Sequence, residues 1–386
     1  MIRSILAVGH DASRTGAPST LASLLGWASD AWGSTITTVL LRGGPLAVDL
    51  ARLGPVRVPP PALTAATRLA AASAGAGITT RVEAAWLRRA LRPAAAADVV
   101  LVSSAAALGA VAHLPVPGPP LVVHLHELDG VLAALGGVEA LSRPMARADL
   151  VLVPSPEVAA LATRPVARGG LGVPAGRVRH HPAPVTPPAR HRRPPQDDTA
   201  LVVGCGRLGW RKGTDLFVAL ADAVGPMVAG RPVQWRWIGG DSGDRSAADV
   251  RDEIRLRHLE DRVGLVGEVD DAPARLAAAD LLVVTSREDP YPLVAVEAAL
   301  AGTPVLGFRP GTTLLDEAGH PDRRVEGLDV TALADQVVEV LSDPGSGRLL
   351  AADEARAAAD ATTPLVAPRI WADVEAVVGR APVGAR

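Results

Sequence analysis

Short apolar runs alternate with stretches of helical periodicity along almost the whole chain. In the first half, the apolar runs predict strands and the 3.6-residue pattern predicts helices. The predicted strands are Ser4–Val8, Thr35–Leu41, Val99–Val102, Leu121–His124 and Leu150–Val153, and the predicted helices are Ala17–Trp32, Pro61–Ala74, Arg81–Leu91 and Pro156–Thr163.

The second half repeats this rhythm. Its predicted strands are Leu201–Gly204, Gln234–Ile238, Val263–Val266, Leu281–Val284 and Pro304–Phe308. Its predicted helices are Gly213–Val224, Ala247–Leu259, Ala272–Ala279, Leu293–Ala301 and Val330–Leu341.

Strands this apolar are typical of parallel sheets that are covered by helices on both faces. Each half is therefore expected to be a doubly wound, Rossmann-like α/β domain, and the two domains are expected to face a central cleft. A run rich in proline and arginine at 181–195 predicts a semi-rigid linker, with an ordinary surface loop as the alternative. The predicted organisation is a first domain at 1–188, a linker at 189–198, a second domain at 199–365, and a terminal helix at 366–386 that packs back on the first domain.

Composition narrows the function further. The chain has 386 residues and a net charge of −2, which predicts no general attraction to nucleic acid or to an anionic membrane. One cysteine, Cys205, leaves no internal disulfide and fits a cytoplasmic protein. No apolar run reaches the ~18 residues that a membrane span needs. The predicted helix with Trp27 and Trp32 has no basic face, so peripheral membrane contact is not favoured.

The only lysine of the chain, Lys212, lies in a loop predicted between a strand and a helix. Lysine and arginine together number 39, so every other basic residue, 38 in all, is arginine. An ammonium group is therefore a candidate requirement at this position. With Arg207, Arg211 and the backbone N–H groups after Gly213, it forms a candidate anion site. A basic loop that is merely solvated is the alternative.

A second segment carries acids before and inside a predicted helix, together with the only tyrosine, Tyr291. Seven residues separate Asp289 from Glu297, and both carboxylates can accept paired hydrogen bonds from a polyhydroxyl ligand. The loop also presents the N–H groups of Leu293 and Val294. The alternative is an acid that favours the helix dipole and a second acid that is merely solvated.

Both segments resemble the C-terminal domain of a family 4 glycosyltransferase, a retaining family with the GT-B fold. The family's pattern G-R-L-x-x-x-K-G-x-D matches residues 206–215, and its two-acid motif with the segment that follows matches residues 289–305. The first acid of that motif is usually Glu. Here Asp289 stands at the matching position and Glu288 precedes it, so either could contact the sugar. The first half resembles the family more loosely, at 8–18 and at 124–127.

The resemblance implies that the second domain binds a nucleotide diphosphate sugar, and that the first binds an acceptor whose choice falls to the loops at 105–120 and 127–137. It implies that Arg207 and Lys212 stabilise the diphosphate, that Glu297 holds the ribose, and that His126 lies near the transferring sugar. The implied catalytic residues are His126, Arg207, Lys212 and Asp289; the implied donor-binding residues are Gly16, Arg207, Lys212, Gly239, Val266, Glu288, Asp289, Leu293, Val294 and Glu297; and the implied acceptor-side residues are Arg14, Thr15 and Glu127.

The implied reaction is transfer of a sugar to an acceptor hydroxyl with retention, by a front-face route and without a metal. Arg207 and Lys212 would take the place of a divalent ion, and no D-x-D pattern follows a strand in the first half. Asp241 and Asp244 come nearest to a metal pair. No cofactor is expected besides the donor, with a UDP-sugar preferred to a GDP-sugar.

Other functions stay open on the same fold. A nucleotide-sugar epimerase is one alternative, and a non-catalytic sugar-nucleotide-binding protein is another. A glycan phosphorylase would need a lysine for pyridoxal phosphate, and Lys212 already has a role. The sequence indicates neither the acceptor nor the oligomeric state.

Overall fold

In the computed structural model the chain divides into two α/β units. The structure describes residues 1–61, 63, 76–187, 198–240, 245–309, 311 and 313–380. The first unit combines Met1–Pro184 with the C-terminal segment from Thr363, and the second comprises Val185–Thr362. These divisions lie a few residues before the predicted boundaries at 188 and 365. Most of the predicted linker, residues 189–197, lies outside the described residues.

The first unit is built on a seven-stranded parallel sheet in the order β3-β2-β1-β4-β5-β6-β7. Its strands are β1 Ser4–Gly9, β2 Thr35–Leu40, β3 Val56–Arg57, β4 Val99–Ser103, β5 Leu121–His124, β6 Leu150–Val153 and β7 Val178–His180. Its α-helices are Gly16–Trp32, Ala47–Leu53, Ala76–Ala90, Asp129–Ala134, Gly137–Met145, Pro156–Thr163 and Thr363–Arg380, with 3-10 turns at Arg92–Ala96, Ala105–His113, Val166–Arg168 and Ala175–Arg177.

The second unit repeats this plan in the order β11-β10-β8-β12-β13-β14, with the short β9 antiparallel to β10. Its strands are β8 Ala200–Cys205, β9 Met227–Val228, β10 Arg231–Ile238, β11 Val263–Gly267, β12 Leu281–Val284, β13 Val305–Phe308 and β14 Arg324–Val325. Its α-helices are Thr214–Val224, Arg245–Leu256, Ala272–Ala278, Leu293–Leu300, Thr313–Glu317, Val330–Ser342 and Pro344–Ala359, with 3-10 turns at Trp210–Lys212 and Pro321–Arg323.

The central strands of each unit are apolar and buried. All residues of β4, β5, β6 and β12 are buried, and the first unit has a separate apolar cluster on each face of its sheet. Burial on both faces is what a parallel sheet between helical layers requires. The predicted fold class of two Rossmann-like α/β domains is confirmed.

The segments at 105–120 and 127–137, which were expected to be loops, are partly helical. The 3-10 turn Ala105–His113 follows β4, and the helix Asp129–Ala134 follows β5. Glycines within these stretches obscure the helical pattern in the sequence. The predicted helix Pro61–Ala74 lies mostly outside the described residues.

The C-terminal helix Thr363–Arg380 packs on the first unit. Its Trp371 is buried, donates a hydrogen bond from Nε1 to the Leu24 carbonyl at 3.1 Å, and meets Trp32 edge-on with ring centroids 5.7 Å apart. His181 Nε2 lies 2.7 Å from Asp373 Oδ2 on the same helix. Trp32 therefore contributes to this packing. Trp27 in turn contacts Trp32, with ring centroids 5.2 Å apart.

None of the α-helices in the described part of the chain combines the length and the apolar character that crossing a bilayer demands.

Candidate functional site

Two loops of the second unit lie side by side because the strands that they follow are neighbours. Strands β8 and β12 pair in parallel, with Leu281 opposite Val202 and Leu282 opposite Val203. Their carboxyl ends therefore lie at the same edge of the sheet, where ligands bind in open α/β folds. We call residues 206–213 the basic loop and residues 285–292 the acidic loop.

An ion pair joins the two loops. The ammonium group of Lys212 contacts Asp289 Oδ2, and the two side chains are only 16% and 7% exposed. Ser286 Oγ donates a hydrogen bond to the same carboxylate oxygen at 3.4 Å. The structure thus brings together the lysine and the acid that the sequence assigned to two different parts of one ligand.

Two glycines allow the basic loop to approach its neighbours this closely. Gly213 has a φ of +65°, and a Cβ there would lie 2.0 Å from the carbonyl oxygen of Thr285. A Cβ on Gly206 would lie 3.1 Å from Cε of Lys212, because the lysine stem crosses that glycine. Thr285 Oγ1 completes the contact by donating to the Lys212 and Gly213 carbonyls at 3.2 and 2.9 Å.

Among the other predicted donor residues of this unit, Arg207 lies in the basic loop and Glu297 lies on the helix that follows the acidic loop. Arg207 is exposed and has no ion-pair partner among the residues that the structure describes. Glu297 lies on the helix Leu293–Leu300, and burial raises the pKa of its carboxyl. Burial, followed by the charge of Glu297, raises the pKa of the Cys205 thiol to about 12, so Cys205 is a protonated thiol near this site.

Backbone groups at this edge of the sheet add hydrogen-bond donors and contacts to the site. The helix Leu293–Leu300 begins after Pro292 with no side-chain cap, so the N–H groups of Leu293 and Val294 at its first turn are not claimed by a cap. Glu288 binds the basic loop through its backbone, because its carbonyl accepts from Arg211 Nη1 at 3.0 Å. The side chain of Tyr291 is buried, and its hydroxyl has no hydrogen-bond partner among the described residues.

The loops after β10 and β11 also meet the basic loop. Gly239 has a φ of +98°, and a Cβ there would lie 2.8 Å from the Gly206 carbonyl. Gly239 N donates to the Gly267 carbonyl at 2.7 Å, and Val266 is half-buried beside it on β11. Trp237 Nε1 donates to the Gly206 carbonyl at 3.0 Å. In the sheet, β8 lies between β10 and β12, so these contacts hold Gly206 from the β10 side.

In the first unit, the predicted residues after β1 form a polar turn. Asp11 accepts hydrogen bonds from the backbone N–H and hydroxyl of Ser13 at 3.1 and 2.8 Å, and the Ser13 and Thr15 hydroxyls are 2.8 Å apart. Arg14 and Gly16 are exposed. The helix Gly16–Trp32 then begins with no side-chain cap and no acid in its first turn. Its N-terminus is consequently suited to an anion.

The predicted His126 follows β5 and packs against His124, with ring centroids 4.0 Å apart and the rings tilted by 41°. Burial, followed by the charges of His124 and His10, lowers the pKa of His126 well below its ordinary value, so the imidazole is neutral. Its buried Nε2 atom has no hydrogen-bond partner within the described chain. A neutral imidazole with an unused ring nitrogen is able to bind a ligand hydroxyl.

Glu127, which was expected to contact the acceptor, is buried and bound within the protein. Its carboxylate accepts from the Ser104 hydroxyl and from the N–H groups of Ala105 and His126, both at 2.9 Å. Ser104 has a φ of +83°, a strained value for a residue with a side chain. Glu127 thus holds the strained turn after β4 against the loop that carries His126. The sequence around Glu127 gave no indication of this structural role.

Among the described residues, no group of three or more His, Cys, Asp and Glu side chains is arranged to hold a metal ion. Asp241 and Asp244 lie outside the described residues.

Comparisons with known proteins match the segment of the chain that contains the two loops. A family model described as "Glycosyl transferases group 1" matches residues 199–343, which include both loops. Over these residues the chain is similar to glycosyl transferases of group 1. The predicted resemblance to glycosyltransferases is confirmed by this match.

Several curated proteins match part of the chain. N-acetyl-alpha-D-glucosaminyl L-malate synthase of Bacillus anthracis is 34% identical over 91 residues, which are 23% of this chain and 24% of the relative. D-inositol 3-phosphate glycosyltransferase of Xylanimonas cellulosilytica is 35% identical over 173 residues, which are 42% and 38%. 2-deoxystreptamine glucosyltransferase of Streptomyces kanamyceticus is 33% identical over 175 residues, which are 42% and 43%. The chain thus matches between 24% and 43% of the length of these curated relatives.

Solved structures match the fold over nearly the whole chain. The Anabaena protein HepE, solved in complex with UDP and glucose, has a TM-score of 0.76 at 19% identity, covering 96% of this chain and 99% of HepE. Sucrose-phosphate synthase from Thermosynechococcus elongatus has a TM-score of 0.71 at 18% identity, covering 98% and 99%. At these identities, the likeness establishes the GT-B fold.

Proposed function

We propose that this chain is a retaining glycosyltransferase that transfers a sugar from a nucleotide diphosphate sugar to an acceptor hydroxyl without a metal. The observation that carries the proposal is the ion pair between Lys212 and Asp289, which joins the basic loop to the acidic loop inside the segment that matches the group 1 family model. These two residues belong to separate motifs, and each is suited to a different part of one donor.

Lys212 is suited to stabilise the leaving diphosphate. Negative charge accumulates on the diphosphate as the glycosidic bond breaks, and fixed cations at that point are usually the largest catalytic contribution. An ammonium group donates three hydrogen bonds, so Lys212 can keep Asp289 and still bind a phosphate oxygen. Arg207, which is exposed and free of ion pairs with described residues, is the second cation for this role. The N–H groups of Leu293 and Val294 add uncapped donors.

The acids are suited to the hydroxyl groups of the donor. We assign the sugar hydroxyls to Asp289 in preference to Glu288, because the Asp289 carboxylate is held by Lys212 between the two loops. We assign the ribose to Glu297. Gly239 and Val266 are proposed to line the base.

We propose that His126 binds the transferring sugar as a neutral hydrogen-bonding group. Its lowered pKa and its unused Nε2 among the described residues support this role. A neutral imidazole adds no positive charge next to a carbon that becomes positive in an oxocarbenium-like transition state. Gly16 and Thr15 are proposed to meet the donor and acceptor at the uncapped start of the helix Gly16–Trp32.

The proposal is tested with the purified chain and a panel of UDP, GDP, ADP and TDP, each measured by thermal shift with and without EDTA. The Anabaena HepE structure contains UDP, so UDP is the first candidate. A tight nucleotide at about 100 times its Kd should stabilise the domain by about 2.7 kcal/mol. The matching nucleotide sugars are then incubated with acceptor mixtures. The release of the free nucleoside diphosphate and the anomeric configuration of the product are measured by NMR.

We expect UDP to raise the melting temperature, EDTA to leave turnover unchanged, and the product to retain the configuration of the donor. Conversion of the nucleotide sugar without release of the nucleoside diphosphate would indicate an epimerase instead. Binding without any turnover would indicate a non-catalytic sugar-nucleotide-binding protein. Loss of turnover in EDTA that manganese restores would refute the metal-free mechanism.

A further inference from the structure

A second ion pair joins the basic loop region to the acidic loop, and it involves neither Lys212 nor Asp289. Arg287, in the acidic loop, binds Asp215 through two parallel hydrogen bonds of 2.7 and 2.6 Å. Asp215 lies in the first turn of the helix Thr214–Val224, directly after the basic loop. Two parallel bonds fix the relative orientation of a guanidinium and a carboxylate as well as their distance.

Arg287 also holds the backbone and the indole of Trp210. Its Nη1 atom donates to the Trp210 carbonyl at 2.8 Å, and its guanidinium carbon lies 5.3 Å from the centroid of the Trp210 ring. That distance is within the range of cation–π attraction. Trp210 is 65% exposed, so this contact orders a large side chain that the core does not hold.

The backbone next to Arg287 continues the connection. The carbonyl of Arg211 accepts from the N–H of Arg287 at 2.9 Å, and the Arg211 side chain donates to the Glu288 carbonyl at 3.0 Å. The basic loop from Trp210 to Lys212 is therefore bound to the acidic loop at each successive residue. Lys212 and Asp289 lie at the end of this series.

Electrostatics agree with a persistent pair. Partial burial raises the pKa of Asp215, but the hydrogen bonds and charge of Arg287 outweigh that effect and hold the pKa below its ordinary value. The same pair raises the pKa of Arg287. Asp215 is therefore ionised throughout the neutral range, as a lasting pair requires.

We propose that Arg287 and Asp215 are positioning residues that lock the basic loop to the acidic loop and so hold Lys212 and Asp289 in the geometry that the donor requires. The locking itself follows from the contacts, whereas its effect on turnover rests on the proposed function. Neither side chain needs to touch the donor. The sequence pattern includes Asp215 without giving it a task, and the structure supplies one.

The same unit contains a matched ion pair that serves as a control. Arg323 binds Glu339 through two parallel hydrogen bonds of 2.8 and 2.6 Å. The side chains of this control pair are 20% and 56% exposed, against 14% and 51% for Arg287 and Asp215. The control pair joins a 3-10 turn to the helix Val330–Ser342 and touches neither loop. Any effect on stability from losing a bidentate surface pair should appear equally in both.

The experiment compares Arg287→Gln, Asp215→Asn and their double variant with Arg323→Gln, Glu339→Gln and theirs. For each protein, kcat and KM for the donor are measured, together with the melting temperature and the hydrogen–deuterium exchange of the backbone at 206–213 and 285–292. Arg287→Lys is added because lysine keeps the charge but cannot form the two parallel bonds.

We expect each loop-lock variant to lose about 10²-fold in kcat/KM, the scale of a misplaced catalytic group. The double variant should lose no more than either single variant, because the two residues act as one unit. Arg287→Lys should recover part of the loss. Exchange in both loops should rise in the loop-lock variants only, while melting temperatures fall equally little in both sets.

Two results would overturn the lock. One is exchange in the two loops that is the same in Arg287→Gln as in the wild type, which can be measured whether or not a donor has been found. The other is an equal loss of kcat/KM in the control pair. A wild-type protein that binds and turns over no nucleotide sugar would instead refute the proposed function, while the exchange measurement would still decide whether the lock exists.

Discussion

Lys212 is paired with a carboxylate that has almost no access to water. Asp289 is only 7% exposed, so its carboxylate has little contact with water and lies against the ammonium group of Lys212. Removing one member of a buried ion pair leaves an uncompensated charge, which is costly, whereas removing both charges often costs little. An alanine variant of Lys212 would therefore combine two effects. It would remove a catalytic cation, and it would leave the buried carboxylate of Asp289 without its partner.

A double substitution separates these effects. We expect Lys212→Ala to destabilise the second unit by about 3–5 kcal/mol, and Lys212→Ala combined with Asp289→Asn to recover most of that stability. Turnover should stay lost in both, because neither variant has the cation. Urea denaturation followed by circular dichroism gives the stabilities. Equal stability of the two variants would contradict the buried pair, and recovered turnover in the double variant would contradict the role of Lys212.

The single lysine shows which kind of residue-level information a sequence carries. Its isolation among arginines and its place between a strand and a helix were enough to select it. The partners of Arg287 could not be found in this way, because Asp215 is 72 positions distant in the chain and no local pattern connects them. The buried role of Glu127 was hidden for the same reason, since Ser104 and Ala105 follow a different strand.

At the scale of elements, burial and run length decided which predictions succeeded. Strands β5, β6 and β12 occupy the predicted residues, because each is a short apolar run that is buried throughout. The two-residue edge strands β3 and β14 form no run that a pattern could detect. The helix Gly137–Met145 was missed because it contains Pro144 and begins with glycine. Elements with a repeated pattern were predictable, and those stabilised by neighbours alone were not.

The end of β5 also makes the first unit sensitive to acid. Burial, followed by the charge of His181, lowers the pKa of His124 to about 3. Above the unfolded pKa of 6.5, both states are neutral and the group has no effect. Below pH 6.5 only the unfolded chain gains the proton, so stability falls by about 1.4 kcal/mol per pH unit until the folded pKa is reached.

We therefore expect the first unit to lose about 2 kcal/mol between pH 6.5 and 5 through His124 alone. His124→Gln should remove this part of the pH dependence. Urea denaturation at pH 7.5, 6.5 and 5 measures it. His180→Gln is the control, because His180 ends β7, two strands away from β5 in the same sheet, and is exposed. An unchanged pH dependence in His124→Gln would contradict the assignment.

At the scale of the whole molecule, the chain passes from the first unit to the second and back again. The crossings lie at Pro184–Val185 and Thr362–Thr363. The returning helix supplies buried residues to the first unit, namely Val366, Ala367, Ile370, Trp371 and Val374. The first unit thus depends on residues from both ends of the described chain.

Trp371 should be the most sensitive position of the returning helix. We expect Trp371→Ala to destabilise the first unit by about 3–5 kcal/mol, because a buried indole leaves a large cavity. Leu365→Ala, in the same helix but 49% exposed, should change stability by no more than about 0.5 kcal/mol. Hydrogen exchange resolved by segment separates the two units. Equal effects of the two substitutions would show that the helix is not part of the first unit's core.

The return of the chain at Thr363 fixes the order in which the protein can be completed on the ribosome. Domains usually fold as they emerge, the N-terminal one first. Here the N-terminal unit lacks its last helix until the second unit has been fully synthesised, since Trp371 and its neighbours are translated after Thr362. The second unit therefore behaves as an insertion that can reach its native state early, while the first unit, though begun first, is the last to close its core.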